Sequence, residues 1–146
     1  MQTGLTATFA DGEYALYLKL PQVMELERGC GSIIAIEERL RAGIGLHADG
    51  QASFTGGGTA SVKEILETIR LALIGGNEAV VMSEQREVGP VEAKRLVDAY
   101  CFPARPLAES AVLAWSILNA ALRGVEMRKK PQPESPANPK RSTKAR

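Results

Sequence analysis

Few side chains in this sequence belong to the types that carry chemistry. His47 is the only histidine among the 146 residues. It sits in a glycine-rich stretch with Asp49 two residues on and no plausible nucleophile beside it, so general acid–base work has no second member there. It reads as a solvated loop histidine. Cys30 and Cys101 are the two cysteines, far apart, and neither has another Cys or a His at metal-ligand spacing. Both read as buried thiols. The carboxylate pairs Glu25/Glu27 and Glu37/Glu38 fall on the outer flanks of amphipathic helices, where charge serves solubility. Gly56-Gly57-Gly58-Thr59 before a capped helix has the outline of a phosphate cradle. No Lys follows the glycines in the Walker pattern, however, and Lys63 lies a turn inside the helix. The expectation is a chain with no catalytic, metal or cofactor site and no small-molecule substrate. It should act by binding other proteins.

The elements that would position any site can be read from periodicity. Leu5, Ala7 and Phe9 alternate with Thr6 and Thr8, Asp11-Gly12 supplies a tight turn, and Tyr14, Leu16, Leu18 and Leu20 share one face of the return strand. This predicts a β-hairpin over 4–20, with Ala15, Tyr17 and Lys19 on its other face. A lone hairpin is marginal in water, so it must lie on helices or on another hairpin. Pro21 suits the first turn of a helix over 21–30. Ser32 caps a second over 32–42, with Ile33, Ile36 and Leu40 inward and Glu37, Glu38, Arg39 and Arg41 facing water. Residues 44–60 are glycine-rich and allow either a second small hairpin around Asp49-Gly50 or a mobile loop.

Ser61-Val62-Lys63-Glu64 is a capping box opening a helix over 61–74, which Gly75-Gly76 should terminate. A weaker segment, 77–87, follows. Helices over 90–101 and 106–123 complete the set. The last is apolar almost all the way round from Ala111 to Leu122, so it is either central or covered by a partner. Trp115 in its middle is either a core residue or an exposed binding anchor. The fold class is α+β, mainly α: an N-terminal hairpin packed on about five short helices, forming one domain over 1–127.

Charge divides the chain. Residues 1–127 carry 16 acidic and 11 basic side chains, a net −5, while 128–146 carry seven basic residues against Glu134, a net +6. Pro131, Pro133, Pro136 and Pro139 lie in that basic segment, whose composition predicts a disordered tail. No apolar run reaches the length of a membrane span, and the first residues have no signal-peptide pattern, so a cytoplasmic protein is expected. Nucleic acid is not the expected partner. Glu37 and Glu38 cancel Arg39 and Arg41 on the would-be recognition helix, and the tail has no aromatic residue for stacking.

Three stretches in order carry a family resemblance: Leu20–Gly43 (LPQVMELERGCGSIIAIEERLRAG), Val62–Gly76 (VKEILETIRLALIGG) and Val91–Val125 (VEAKRLVDAYCFPARPLAESAVLAWSILNAALRGV). Together they resemble the tail assembly chaperones of gene transfer agents and related tailed phages. The resemblance implies a protein that coats the long helical tape-measure protein until tail tube subunits replace it. Tape-measure and tube proteins are then its partners, and self-association into a homo-oligomer is compatible with it. The contacts this points to are Leu113, Trp115, Ile117 and Leu118 on the final helix, and Tyr17 on the hairpin. Two other readings compete. One is a structural, tube-associated tail component whose hairpin joins its neighbours by β-augmentation. The other is a small nucleic-acid-binding regulator using the basic tail.

Overall fold

The structure, a computed structural model, describes residues 1–126. The basic segment 128–146, and the reading of it as a disordered tail, lie outside those residues. Within them the fold is α+β and mainly helical. It has five helices, α1 (Leu20–Cys30), α2 (Ile33–Arg41), α3 (Val62–Gly76), α4 (Pro90–Tyr100) and α5 (Leu107–Arg123). Six strands accompany them: β1 (Leu5–Phe9), β2 (Gly12–Leu16), β3 (Ile44–Leu46), β4 (Ala52–Phe54), β5 (Ala79–Val81) and β6 (Glu84–Arg86).

The N-terminal hairpin lies both on helices and on another hairpin. A four-stranded antiparallel sheet runs β1-β2-β5-β6, and β3 and β4 form a separate pair around Asp49-Gly50. The segment 77–87 is therefore a second hairpin of the main sheet. Its turn residues Met82 and Ser83 both have positive φ, 52° and 68°, the twist that two-residue hairpins need, without the Asn-Gly or Asp-Gly signature. The first hairpin departs from its sequence signal too. Its turn is Ala10-Asp11, with Ala10 at φ 56°, and Gly12 is already a strand residue paired with Phe9. A Cβ on Gly12 would lie 2.3 Å from the Val80 carbonyl oxygen, so this glycine admits β5 rather than forming the turn. Tyr14, Leu16 and Leu18 face inward as expected. Leu20, at the first turn of α1, is 71% exposed.

Side-chain caps fix the helix ends. Ser32 accepts from the Ala35 amide at 3.2 Å, and Glu27 reaches forward to accept from the Ile33 amide at 3.0 Å. The α3 capping box is complete, with Ser61 Oγ on the Glu64 amide at 3.1 Å and Glu64 Oε1 on the Ser61 amide at 2.8 Å. Its other end differs from the expectation. Gly75 and Gly76 stay helical, and Asn77 in the left-handed region ends the helix. These glycines exist for contact. A Cβ would lie 2.0 Å from the Tyr17 carbonyl oxygen at Gly75 and 2.1 Å from that of Ala15 at Gly76. The last turns of α3 thus press on the backbone of β2, and the Tyr17 amide donates to the Ala72 carbonyl at 3.0 Å.

The core lies between that sheet and the helices. Ile65, Ile69, Leu71 and Leu73 of α3 belong to one buried cluster with Leu16, Leu26, Leu96, Ile117 and Leu118, all nearly inaccessible to solvent. Overpacking a tight contact costs about 1–3 kcal/mol. Gly76→Ala should therefore lower the unfolding free energy by that amount, read as a lower urea midpoint at unchanged slope, whereas Gly29→Ala, where an added Cβ meets nothing within 4 Å, should not.

Candidate functional site

None of the groups singled out for chemistry is assembled into a reactive set. His47 lies exposed in the β3–β4 turn, its Nε2 3.0 Å from Ser53 Oγ, while Asp49 accepts from the Gln51 amide and shapes the turn instead of orienting the imidazole. Burial pushes the Cys101 thiol up, with Ser110 and Arg105 opposing only in part, and burial likewise raises Cys30. Neither is held as a thiolate nucleophile. Among the described residues no group of three or more His, Cys, Asp or Glu side chains could hold a metal ion. The glycine run packs against the end of α2, where a Cβ on Gly58 would lie 2.3 Å from the Arg39 carbonyl oxygen. It is a packing device, not a cradle.

One carboxylate is placed otherwise than the sequence indicates. Glu37 does not face water; it is 1% exposed beneath α5. Its Oε2 accepts from Arg41 Nε at 3.0 Å, Trp115 Nε1 at 3.1 Å and one Arg123 Nη at 3.0 Å. Its Oε1 accepts from Arg41 and Arg123 at 3.3 and 3.2 Å. Burial alone would raise this carboxyl, but the bonds from Arg123, Arg41 and Trp115 outweigh burial and hold it below its ordinary value. A carboxylate saturated by donors and kept ionised neither gives nor takes a proton at neutral pH. It clamps α2 to α5. No local signal could have marked it, since Trp115 and Arg123 lie 78 and 86 residues away.

The same clamp decides the fate of the residues expected to contact partners. Trp115 is half-buried with its polar edge committed to Glu37, and Ile117 and Leu118 are 1% and 0% exposed in the core. The side chains of Ile117 and Leu118 are not on the surface of this fold. Leu113 is half-buried and lines a cleft with Phe9, Tyr100 and Arg105. Tyr17 is 36% exposed on the sheet side, against Gly4 and with Lys19 Nζ 5.7 Å from its ring centroid. The structure therefore does not gather Tyr17 and the α5 residues into one surface.

What remains open is the sheet. Strands β1 and β6 are its two edges, and every residue of β6 is exposed. Among the described residues each edge carries main-chain donors and acceptors with no strand beside them, a ready template for another strand. Val80 and Met82 stand exposed beside the β6 edge at 42% and 87%.

Residues 3–124 match the family model described as phage tail tube protein, GTA-gp10. The chain belongs to that family. The gene transfer agent and phage tail part of the sequence resemblance therefore stands, over nearly all the described residues. The description names a tail tube protein, not a tail assembly chaperone. No curated protein and no solved structure matches this member of the GTA-gp10 family. No helix among its described residues is long and apolar enough to cross a membrane.

Removing the clamp should be felt as lost stability. Arg41 and Arg123, 52% and 46% exposed, can return to water, so the loss rests on the Trp115 N–H left without an acceptor and the vacated space. Glu37→Ala should cost about 2 kcal/mol at neutral pH. Because the folded carboxyl lies below its ordinary value of 4.5, the wild-type advantage is complete above that pH and shrinks as the pH falls below it. Denaturant unfolding of both proteins across this range measures the gap.

Proposed function

We propose that the protein is a non-enzymatic structural component of a phage-like, gene-transfer-agent tail, associated with the tube and assembled in the cytoplasm. Its partners are tail proteins, among them further copies of itself. The observation that carries this is the division of its apolar surface. The final helix, whose apolar circumference suggested a partner face, spends that surface internally against α3, α2 and β4. The sheet, in contrast, offers two edges unpaired among the described residues, through which neighbours can be joined by β-augmentation. The family description, a tail tube protein, supports the same reading.

The tail assembly chaperone is the second reading, and one observation favours it. Leu20 and Met24, 71% and 55% exposed, stand one helical turn apart on α1, a short apolar strip suited to the apolar face of a tape-measure helix. The regulator reading rests on 128–146, outside the described residues.

Quantitative mass spectrometry of purified particles separates the first two. A structural component should be present in fixed ratio to the tube protein. Absence from particles, together with a tape-measure protein that is soluble only when coexpressed with this chain, would replace this reading with the chaperone.

A further inference from the structure

We propose that the β6 edge binds the β6 edge of a second copy of this chain, in an antiparallel two-fold pair centred on Gln85. The inference rests on the reading of the sheet as the joining surface, and it names the partner of one edge.

The backbone sets the register. Strands β5 and β6 are joined by a two-residue turn, so the closing pair Val81↔Glu84 exchanges its hydrogen bonds, as does Ala79↔Arg86, while Val80↔Gln85 between them does not. The N–H and C=O of Gln85 therefore both point away from β5, toward the open edge. Those of Glu84 and Arg86 are used within the sheet. Two copies related by a two-fold axis through this position exchange a pair of bonds, each Gln85 donating to the carbonyl of the other.

The side chains choose the same arrangement. Glu84 and Arg86 share one face of β6, their charged groups 3.8 Å apart, and both project into solvent. Antiparallel pairing centred on Gln85 sets Glu84 opposite Arg86 of the second copy and Arg86 opposite its Glu84, at the closely spaced non-hydrogen-bonded positions. In-register parallel pairing would set Glu on Glu and Arg on Arg. The Glu-Gln-Arg order is thus self-complementary in one orientation only, as an interface between identical subunits requires. The β1 edge, Leu5–Phe9, has no charge to fix a register. The same geometry carries Met82, 87% exposed, toward the start of α4 in the second copy, where Val91 is also 87% exposed. Each copy keeps its β1 edge free for another tail protein.

The test is self-association of the full chain by analytical ultracentrifugation. The wild type should form a concentration-dependent dimer. Glu84→Arg and Arg86→Glu should each weaken it about tenfold, by setting like charges across the axis. Mixing the two variants should restore pairing, because each supplies the charge the other lacks. Gln85→Pro, which removes only the outward-facing N–H, should leave the far-ultraviolet spectrum unchanged and abolish the dimer. If that variant fails to fold, the charge pair carries the test alone. A monomeric wild type, or a dimer indifferent to Glu84→Arg, overturns the proposal. Monomeric chain found in particles overturns the pairing and leaves the tail-component reading intact. A dimer sensitive to Glu84→Arg, formed by a protein absent from particles, does the reverse.

Discussion

Helix α3 touches strand β2 backbone to backbone, and the other elements are arranged around that contact. Gly75 and Gly76 bring the last turn of the helix against the carbonyls of Tyr17 and Ala15, closer than any side chain would allow. The Ala72 carbonyl takes the Tyr17 amide, so the chain leaving β2 is bonded to the helix as well as packed on it. The sheet then grows outward: the Ala15 amide donates to the Glu78 carbonyl just after the Asn77 cap, and β5 runs on beside β2. Asn77 adds a side-chain bond from the Val88 amide, tying the exit of the second hairpin to the same corner. On its remaining faces α3 packs against α1, α4 and α5.

The second constraint is the ion pair at the α2–α5 crossing. A buried charge costs several kcal/mol unless donors surround it, and here two guanidinium groups and an indole do so. Glu37 thereby fixes the rotation of α5 about its own axis. With Trp115 and Arg123 turned toward Glu37, Ala111, Ala114, Ile117 and Leu118 are turned into the core. A helix that is apolar nearly all round thereby becomes an interior helix. The family to which the chain belongs is described as phage tail tube protein, and edges that accept a strand suit the proposed joining of neighbours.

Much of this was legible in sequence because it is local. Periodic apolar positions mark the first four helices, and the capping box at Ser61 places the start of α3 to the residue. Local signals failed where a glycine or a charge answers to something distant. Gly12 resembles half of a turn and serves the approach of β5; Gly75-Gly76 resembles a stop and serves the approach of β2. Met82-Ser83 carries no turn signature, and its left-handed conformation goes with the tight antiparallel pairing of β5 and β6. Glu37 and Glu38 are adjacent and chemically identical, yet one is buried and one exposed; only the position of α5 separates them. The partner contacts suffered most, because an apolar residue on an apolar helix has no periodicity to say whether it faces inward.

Helix α5 belongs to the core, and the proposed contacts with other tail proteins lie at the sheet edges. Hydrogen exchange, comparing the free chain diluted to the monomer with the chain bound to tail components, reads the helix and the edges together. The α5 amides should exchange only through global unfolding in either state, while the outward amides of β1 and β6 become protected on binding. New protection along α5 with unchanged exchange at both edges would contradict this.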